Sequence, residues 1–446
     1  MSELVHIAEG VVAHANPGEQ LEAFVAQGTS TEVKAYNGEV ESFTSAQSAG
    51  VGIRVIVDHR VGIAHAGSLD PEVIAETLAE ARNNAEFAEP DEWMELAKPD
   101  GGTPIEHDQW DESVASTPTA DKVQMAIDLE ERTIGADERI SGIRTSVYSD
   151  SSSEYALAST TGISVSERGT GAHVSVLALA TDNDETKVGS GYDVHFGPAK
   201  LDLDVAVTDA VRRATQLLGA TQPASSRLTI VLEPRMAASI VGIVVGMLNG
   251  ERVIKGRSPF ADRIGDGIAS PVLSLTDDPT DSRSFGATSV DGEGQTCSPT
   301  LLLKEGELMS FLQNTYTGRR SGFGTTANAT RGYASSPGVG PHAVIMAPGE
   351  STMEELIASI PHGVLVTSMS GLHSGVNPVS GDFSVGVEGL AIRDGQRAEP
   401  LREATIASTM QKLLGDISAV GSELEWLPGG TGAAALMVSD VSLSGA

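Results

Sequence analysis

Three runs of alternating apolar and polar residues near the start of the chain leave little choice of local structure: LEAFVAQG from Leu21, STEVKAYNGEVESFTSAQ from Ser30 and GVGIRVIVDHRVGIAHAG from Gly50. A side-chain period of two belongs to strands, whose residues point alternately to opposite faces. Asn37-Gly38 and Asp58-His59 interrupt the alternation where a hairpin would turn, and Asn-Gly pairs suit the positive φ angles of two-residue hairpin turns. The chain therefore builds an antiparallel sheet, with the first two runs read as separate strands.

The elements around this sheet follow from periodicity. Residues 3–15 place Leu4, Ile7, Ala8, Val11 and Val12 at helical spacing, ended by Asn16-Pro17-Gly18. Ser68-Leu-Asp-Pro opens a helix to about Phe87, and a polar stretch over 89–116 leads to a second helix over 118–137. Residues 140–197 read as a meander of at least three strands, followed by a helix over 204–218 that ends at Gly219. Pro223-Ala-Ser-Ser reads as a linker, giving an N-terminal α/β domain over residues 1–222 and a β-rich domain over 223–446. The fold class expected is α+β.

In the second domain a strand over 227–232 precedes Pro234 and an apolar helix, MAASIVGIVVGML. Strands are expected at 342–346, 363–369 and 434–443, a hairpin around Glu305-Gly306, a short helix over 353–360 and a final helix over 404–420. Residues 314–340 read as long glycine-rich loops, and loops of that length in a compact domain are often functional.

Composition excludes several functions. The net charge is −32, and residues 1–220 carry 14 Lys or Arg against 38 Asp or Glu. Such a surface repels phosphate backbones, so direct nucleic-acid binding is not expected. No uninterrupted apolar run of about 18 residues occurs, and the N-terminus shows no basic segment followed by an apolar one. Neither membrane span nor signal peptide is expected. A single cysteine, Cys297, excludes an intrachain disulfide framework and suits a reducing, cytoplasmic compartment.

One further stretch carries a resemblance. GLHSGVNPVSGDFSVGVEGLAIRDG, over 371–395, followed by Pro400-Leu-Arg-Glu-Ala-Thr-Ile-Ala-Ser, resembles the C-terminal signature of the TldD/PmbA (TldD/TldE) family. The resemblance extends over nearly the whole chain. It implies an N-terminal α/β domain, a β-rich C-terminal domain of the TldD/PmbA type, and a zinc metallopeptidase whose PmbA (TldE) branch supplies a partner subunit. Family substrates include modified peptide precursors and small protein antitoxins, and the family has a link to DNA gyrase control.

The peptidase branch places H-E-x-x-x-H on the helix after the first strand of the second domain. Ligands a turn apart converge on one ion, and the glutamate can activate bound water. Aligned on Leu248-Asn249-Gly250, the resemblance puts Val241 at the first histidine, Gly242 at the glutamate and Gly246 at the second histidine. The third ligand, a cysteine, should fall within residues 425–432 (EWLPGGTG), which has none. The pattern resembles the PmbA/TldE branch, which implies no catalytic residue, metal or cofactor in this chain and zinc in a TldD-like partner.

Other constellations are weaker. His59 and His65 lack a completing ligand set, and Cys297 has no partnering histidine in view. Arg319, Arg320 and Arg331 stand out in an acidic protein beside a glycine-rich run, where they suit a carboxylate of a peptide or partner subunit. His373, Ser374, Asn377, Asp382 and Phe383, with the strand over 383–392, complete the candidate peptide- or partner-binding set. The function expected is a non-catalytic subunit of a cytoplasmic TldD/TldE-type peptidase that encloses extended peptides. The alternatives are an autonomous, homodimeric metallopeptidase and a peptide-binding protein without a peptidase partner.

Overall fold

A computed structural model describes residues 3–445. The chain opens with α1 (Glu3–Val12), β1 (Gln20–Tyr36), β2 (Glu39–Val57), β3 (Arg60–Ala66) and α2 (Pro71–Phe87). A short turn α3 (Ser113–Ser116) and α4 (Thr119–Gly135) lead to β4 (Ile140–Ser159), β5 (Ser164–Asp182), β6 (Glu185–His195) and α5 (Leu203–Thr215). The strands form one antiparallel sheet in the order β3-β2-β1-β4-β5-β6. Asn37 and Gly38 turn the β1–β2 hairpin with φ of 55° and 72°. The two runs read as separate strands before it are one, β1, passing through Gly28 without a break. A Cβ at Gly28 would sit 2.7 Å from the Ser152 carbonyl oxygen, so glycine there lets β4 approach rather than turning the chain.

At 17 residues, β1 spans roughly 55 Å, too long for one pair of helices to cover. Two small cores result. At one end α1 and α2 pack Leu4, Ala8, Leu78 and Ala81 against Leu21, Ala23, Val51 and Ile53. At the other, α4 and α5 pack Ala126, Leu129, Ala206 and Ala210 against Val33, Tyr148, Val174 and Val176. Between them, side chains on the same face are polar and bond one another: Gln27 with Glu154 at 3.1 Å and Thr29 with Ser152 at 2.7 Å.

The second half contains β7 (Ser226–Leu232), α6 (Pro234–Met247), α7 (Gly250–Ile254), β8 (Leu275–Asp277), β9 (Thr300–Lys304), β10 (Glu307–Leu308), α8 (Thr315–Ser321), β11 (Ala329–Thr330), β12 (Gly338–Val339) and β13 (Val344–Met346). It continues through α9 (Met353–Ala358), β14 (His362–Ser370), α10 (Leu372–Gly375), β15 (Asp382–Arg393), β16 (Gln396–Thr409), α11 (Met410–Gly415), β17 (Ile417–Val420), β18 (Glu425–Trp426), β19 (Gly432–Ala433) and β20 (Leu436–Ser444). Two six-stranded sheets form, in the orders β16-β15-β14-β7-β20-β17 and β10-β9-β8-β13-β19-β18. One hydrophobic core joins both sheets to α6, from Leu228, Ile230 and Val366 through Ile240 and Val244 to Leu302, Leu303 and Val344.

Two expectations need correction. The final helix expected over 404–420 is mostly strand: β16 runs to Thr409, with Leu401, Ala404 and Ile406 buried and Thr405 and Ala407 less so, and only Met410–Gly415 is helical. The β-branched Thr405 and Ile406 fit the pleat better than a helix. The glycine-rich stretch after Asn314 is not all loop, because α8 forms there behind a capping box. Asn314 accepts from the Thr317 N–H while the Thr317 hydroxyl accepts from the Asn314 N–H. Among the described residues no helix is long and apolar enough to cross a membrane.

Candidate functional site

Helix α6 carries the positions that the sequence comparison makes decisive. Pro234 starts it, where a missing N–H costs nothing. Ala237, Ile240, Val241, Val244, Val245 and Met247 point into the core. Val241 is 3% exposed and packed as a core side chain. Gly242 is exposed and Gly246 half-buried, and a Cβ at either would meet no atom within 4 Å. That face of the helix is smooth and open, with no donor for a metal and no acid to move a proton. Beyond the helix, Asn249 caps α7 by accepting from the Glu251 N–H at 2.9 Å and donates to the Val339 carbonyl at 2.6 Å. A zinc site does not fit these residues, and no chemical step runs through one here. Among the described residues, no group of three or more His, Cys, Asp or Glu side chains is placed to hold a metal ion.

At the N-terminal end of α6 lies a cleft of about 750 Å³, floored by α5 of the first half and walled by β18 and its flanking loops. Its charges alternate. Asp209 meets Arg213 at 3.0 Å and Arg235 at 2.6 Å, while Glu233 meets Arg212 at 3.2 Å and Arg213 at 2.9 Å. Arg235 lies 4.0 Å from the centre of the Tyr192 ring, and its Nε is 3.6 Å from Glu425. Burial, only partly offset by Arg235, raises the Glu425 carboxyl above its ordinary value. Burial works against the Arg212 charge, but Glu233 and Asp209 hold it above its usual value. Three guanidinium groups balance three carboxylates, so the cleft clasps α5 to the entry of α6. Sequence reasoning missed it because the partners lie far apart along the chain; the available signals were Arg212-Arg213 ending an acidic-domain helix and Arg235 following Glu233-Pro234.

The arginines singled out by sequence face inward or along the chain itself. Arg319 pairs with Glu95 at 2.9 Å. Arg320 donates to the Tyr316 hydroxyl at 2.6 Å, which in turn donates to Asp91 at 2.8 Å. Both tie α8 to the segment after α2. The Arg331 side chain is 1% exposed, pairs with Glu22 and lies 4.9 Å from the centre of the Phe24 ring. Glu22 also meets Arg54 at 2.9 Å, and Arg54 meets Glu293 at 3.2 Å, making a buried four-charge network between the two halves. Its sequence signal was a charge inside each apolar strand run, at Leu21-Glu22-Ala23 and Ile53-Arg54-Val55.

The loop after β14 brings His373, Ser374, Asn377 and Asp382 together at the surface. Asn377 accepts from the Val379 N–H at 2.9 Å, the Ser380 hydroxyl donates to Asp382 at 2.6 Å and the Ser374 hydroxyl donates to the Gly371 carbonyl at 3.4 Å, so three of the four are engaged in shaping the loop. Phe383 is 2% exposed, part of the core beneath. Strand β15, which contains the candidate binding strand over 383–392, is paired on both sides, with β14 and β16, and offers no free backbone edge there. Cys297 is buried, its thiol 3.7 Å from the Ala327 carbonyl. Burial, and then Asp291 and Glu167, push that thiol up, the opposite of a nucleophile's tuning.

Comparison with known proteins joins these observations to a family. Models described as PmbA/TldA metallopeptidase domain 1, central domain and C-terminal domain match residues 21–85, 112–218 and 225–445. The chain is 23% identical over 410 residues to the metalloprotease PmbA of Escherichia coli O157:H7, covering 91% of this chain and 88% of that one. It is 24% identical over 428 residues to a metalloprotease TldD homolog of Haemophilus influenzae, covering 89% and 86%. TldE from Thermococcus kodakarensis superposes with a TM-score of 0.89 at 23% identity, over 99% of both chains. A Thermotoga maritima protein described as a candidate modulator of DNA gyrase superposes at 0.90 with 24% identity, over 98% of this chain and 99% of that one. PmbA-named and TldD-named relatives stand at nearly equal identity, so overall similarity does not choose between the branches.

Proposed function

The chain belongs to the PmbA/TldD metallopeptidase family, and we propose that within it this protein is the PmbA/TldE-like, metal-free subunit of a cytoplasmic TldD/TldE-type peptidase. The observation that carries the reading is α6: a buried valine and two bare glycines stand where the peptidase branch aligns H-E-x-x-x-H. With no ligand or base on that helix, zinc, water activation and bond cleavage belong to a TldD-like chain. This subunit would close a chamber around an extended peptide. Its own contribution is positional: buried ion pairs fix its two halves, while the surface loop of His373, Ser374, Asn377 and Asp382 offers polar contacts to peptide or partner.

The test is cleavage of an unfolded peptide by this chain alone and mixed with a TldD-like chain of the same organism, with and without chelator. Chelator-sensitive cleavage only above the rate of the TldD-like chain alone supports the reading. Cleavage by this chain alone overturns it.

A further inference from the structure

The acidity of the chain gives way around α7 and α8. From Leu308 to Gly349 there is no Asp or Glu, although the chain has 61. Residues 251–263, ERVIKGRSPFADR, hold four Lys or Arg against two acids. The two stretches meet where α7 packs against α8. Arg252, Lys255 and Arg257 are all exposed. Lys255 pairs with Glu251 and Arg263 with Asp266, each at 2.5 Å. Arg252 and Arg257 meet no carboxylate among the described residues, in a chain with 61 acids for 29 bases. Their backbones are held together: Gly256, at φ 65°, turns the chain after α7 so that the Arg257 N–H donates to the Arg252 carbonyl at 2.8 Å. The loop is anchored at both ends, by the Gly250 N–H on the Leu312 carbonyl at 2.8 Å and by Phe260, which lies in the core of the second half.

On the same elements lies an open depression of about 530 Å³, lined by Val253, Ile254, Ile264 and Phe323, with Asp262 as its one acid. Phe323 is 60% exposed. It stands between Gly322 and Gly324, whose φ values of 78° and 80° hold it away from the chain, and its ring centre is 6.1 Å from that of the buried Phe311. That contact seats the ring without covering it. Arg320 also lines the depression, but its guanidinium is engaged with Tyr316. An open aromatic ring rimmed by charge marks a surface that receives another molecule.

The chemistry of the rim says which molecule. An arginine fork matches the two oxygens of a carboxylate, and the apolar lining takes an aliphatic or aromatic side chain. We infer that this surface docks an acidic, extended segment of another protein, with its carboxylates on Arg252 and Arg257 and an apolar side chain against Ile264 and Phe323. The net charge of −32 repels acidic molecules from the rest of the surface, so such a segment is received where the acids are missing. A nucleic acid fits less well, because its affinity draws on many cations at once. The docking site does not depend on catalysis residing in another chain.

Fluorescence anisotropy of short labelled peptides with the full chain provides the test. The probe is a Glu- and Asp-rich peptide with a central leucine and phenylalanine. Beside it stand one peptide with its acids changed to glutamine, one with its apolar pair changed to serine, and a single-stranded DNA of similar length. The acidic, apolar peptide is expected to bind at least several-fold tighter than the other two peptides and the DNA, and more weakly at about 0.5 M than at about 0.05 M salt. Arg252→Glu combined with Arg257→Glu weakens it about tenfold or more. Phe323→Ser weakens it several-fold and leaves the salt dependence in place. Arg144→Glu combined with Lys200→Glu makes the same change in net charge at exposed positions of the first half and leaves binding within about twofold of wild type. All these variants keep the wild-type circular dichroism. Equal binding of the acidic and glutamine peptides, unchanged affinity in Phe323→Ser, an equal loss in the remote double variant, or DNA bound as tightly as the acidic peptide overturns the inference.

Discussion

Replacing Arg331 with methionine should destabilise the protein by about 3–5 kcal/mol, the cost of breaking a buried ion pair and leaving its partner uncompensated. The network holds two carboxylates, Glu22 and Glu293, and two guanidinium groups, Arg54 and Arg331, with every side chain no more than 6% exposed. With Arg331 gone, Arg54 alone must serve both Glu22 at 2.9 Å and Glu293 at 3.2 Å, leaving one net negative charge out of water. Methionine keeps much of the volume beside Phe24, so the loss is mainly electrostatic. For a unit of roughly 200 residues each kcal/mol is worth about 2–4 °C, giving a fall of about 6–20 °C in the transition that includes the first sheet. Glu22 and Arg54 lie in that sheet while Glu293 and Arg331 lie in the second half, so differential scanning calorimetry should also show one transition separating into two. The double variant Arg331→Met with Glu22→Gln restores neutrality and recovers at least about half of the loss. A single variant within about 1 kcal/mol of wild type, or a double variant no better than the single, refutes the reasoning.

Three other outcomes follow from the same geometry. Burial, and then Glu293, push Asp291 up to about 7, against the N–H groups of Ala329, Gln295 and Glu293. The folded chain thus keeps a proton that the unfolded chain releases near 3.8, and this stabilising contribution is lost as pH rises through about 7. Denaturation at pH 5 and pH 8 should show Asp291→Asn losing less with rising pH than wild type, with a cost of about 1–3 kcal/mol at pH 5 for the misplaced acceptor at Ala329; equal pH slopes would contradict this. Asn314→Ala removes the cap of α8 and the donor to the Pro337 and Gly338 carbonyls, and chemical denaturation should register a loss of about 1–3 kcal/mol. Gly242→Ala, in open space on α6, should stabilise the isolated chain by about 0.5–1 kcal/mol, and destabilisation would mean that this face is not open.

Local signals were legible in the sequence because local chemistry decides them. Asn37 and Gly38, and Asp58 and His59, adopt the positive φ their hairpin turns require, and Pro234 starts α6 where it stands. The apolar rows of α1 and α2 read correctly because each covers a sheet, whereas α4 buries Ala126, Leu129 and Thr133 and leaves the apolar Ile134 exposed. Residues 404–420 read as helix because Ala404, Ala407 and the apolar pair Leu413-Leu414 mimic its period, while the decisive factor, pairing of β16 with β15 and β20, is remote. The charged clasps were illegible for the same reason: nothing local tells Asp209 that it will meet Arg235, or Glu22 that Arg331 will reach it. Arg319, Arg320 and Arg331 drew notice as rare cations in an acidic chain, and that same acidity supplies intrachain contacts for them at Glu95, Asp91 (through Tyr316) and Glu22.

The measurement that bears most directly on the central claim is the zinc content of the purified chain after loading with zinc and exhaustive dialysis, read by mass spectrometry of the metal and set beside a TldD-like chain treated identically. Zinc retained stoichiometrically by the TldD-like chain and not by this one is the result the account predicts; one zinc held per copy of this chain, with chelator-sensitive peptide cleavage, would contradict it.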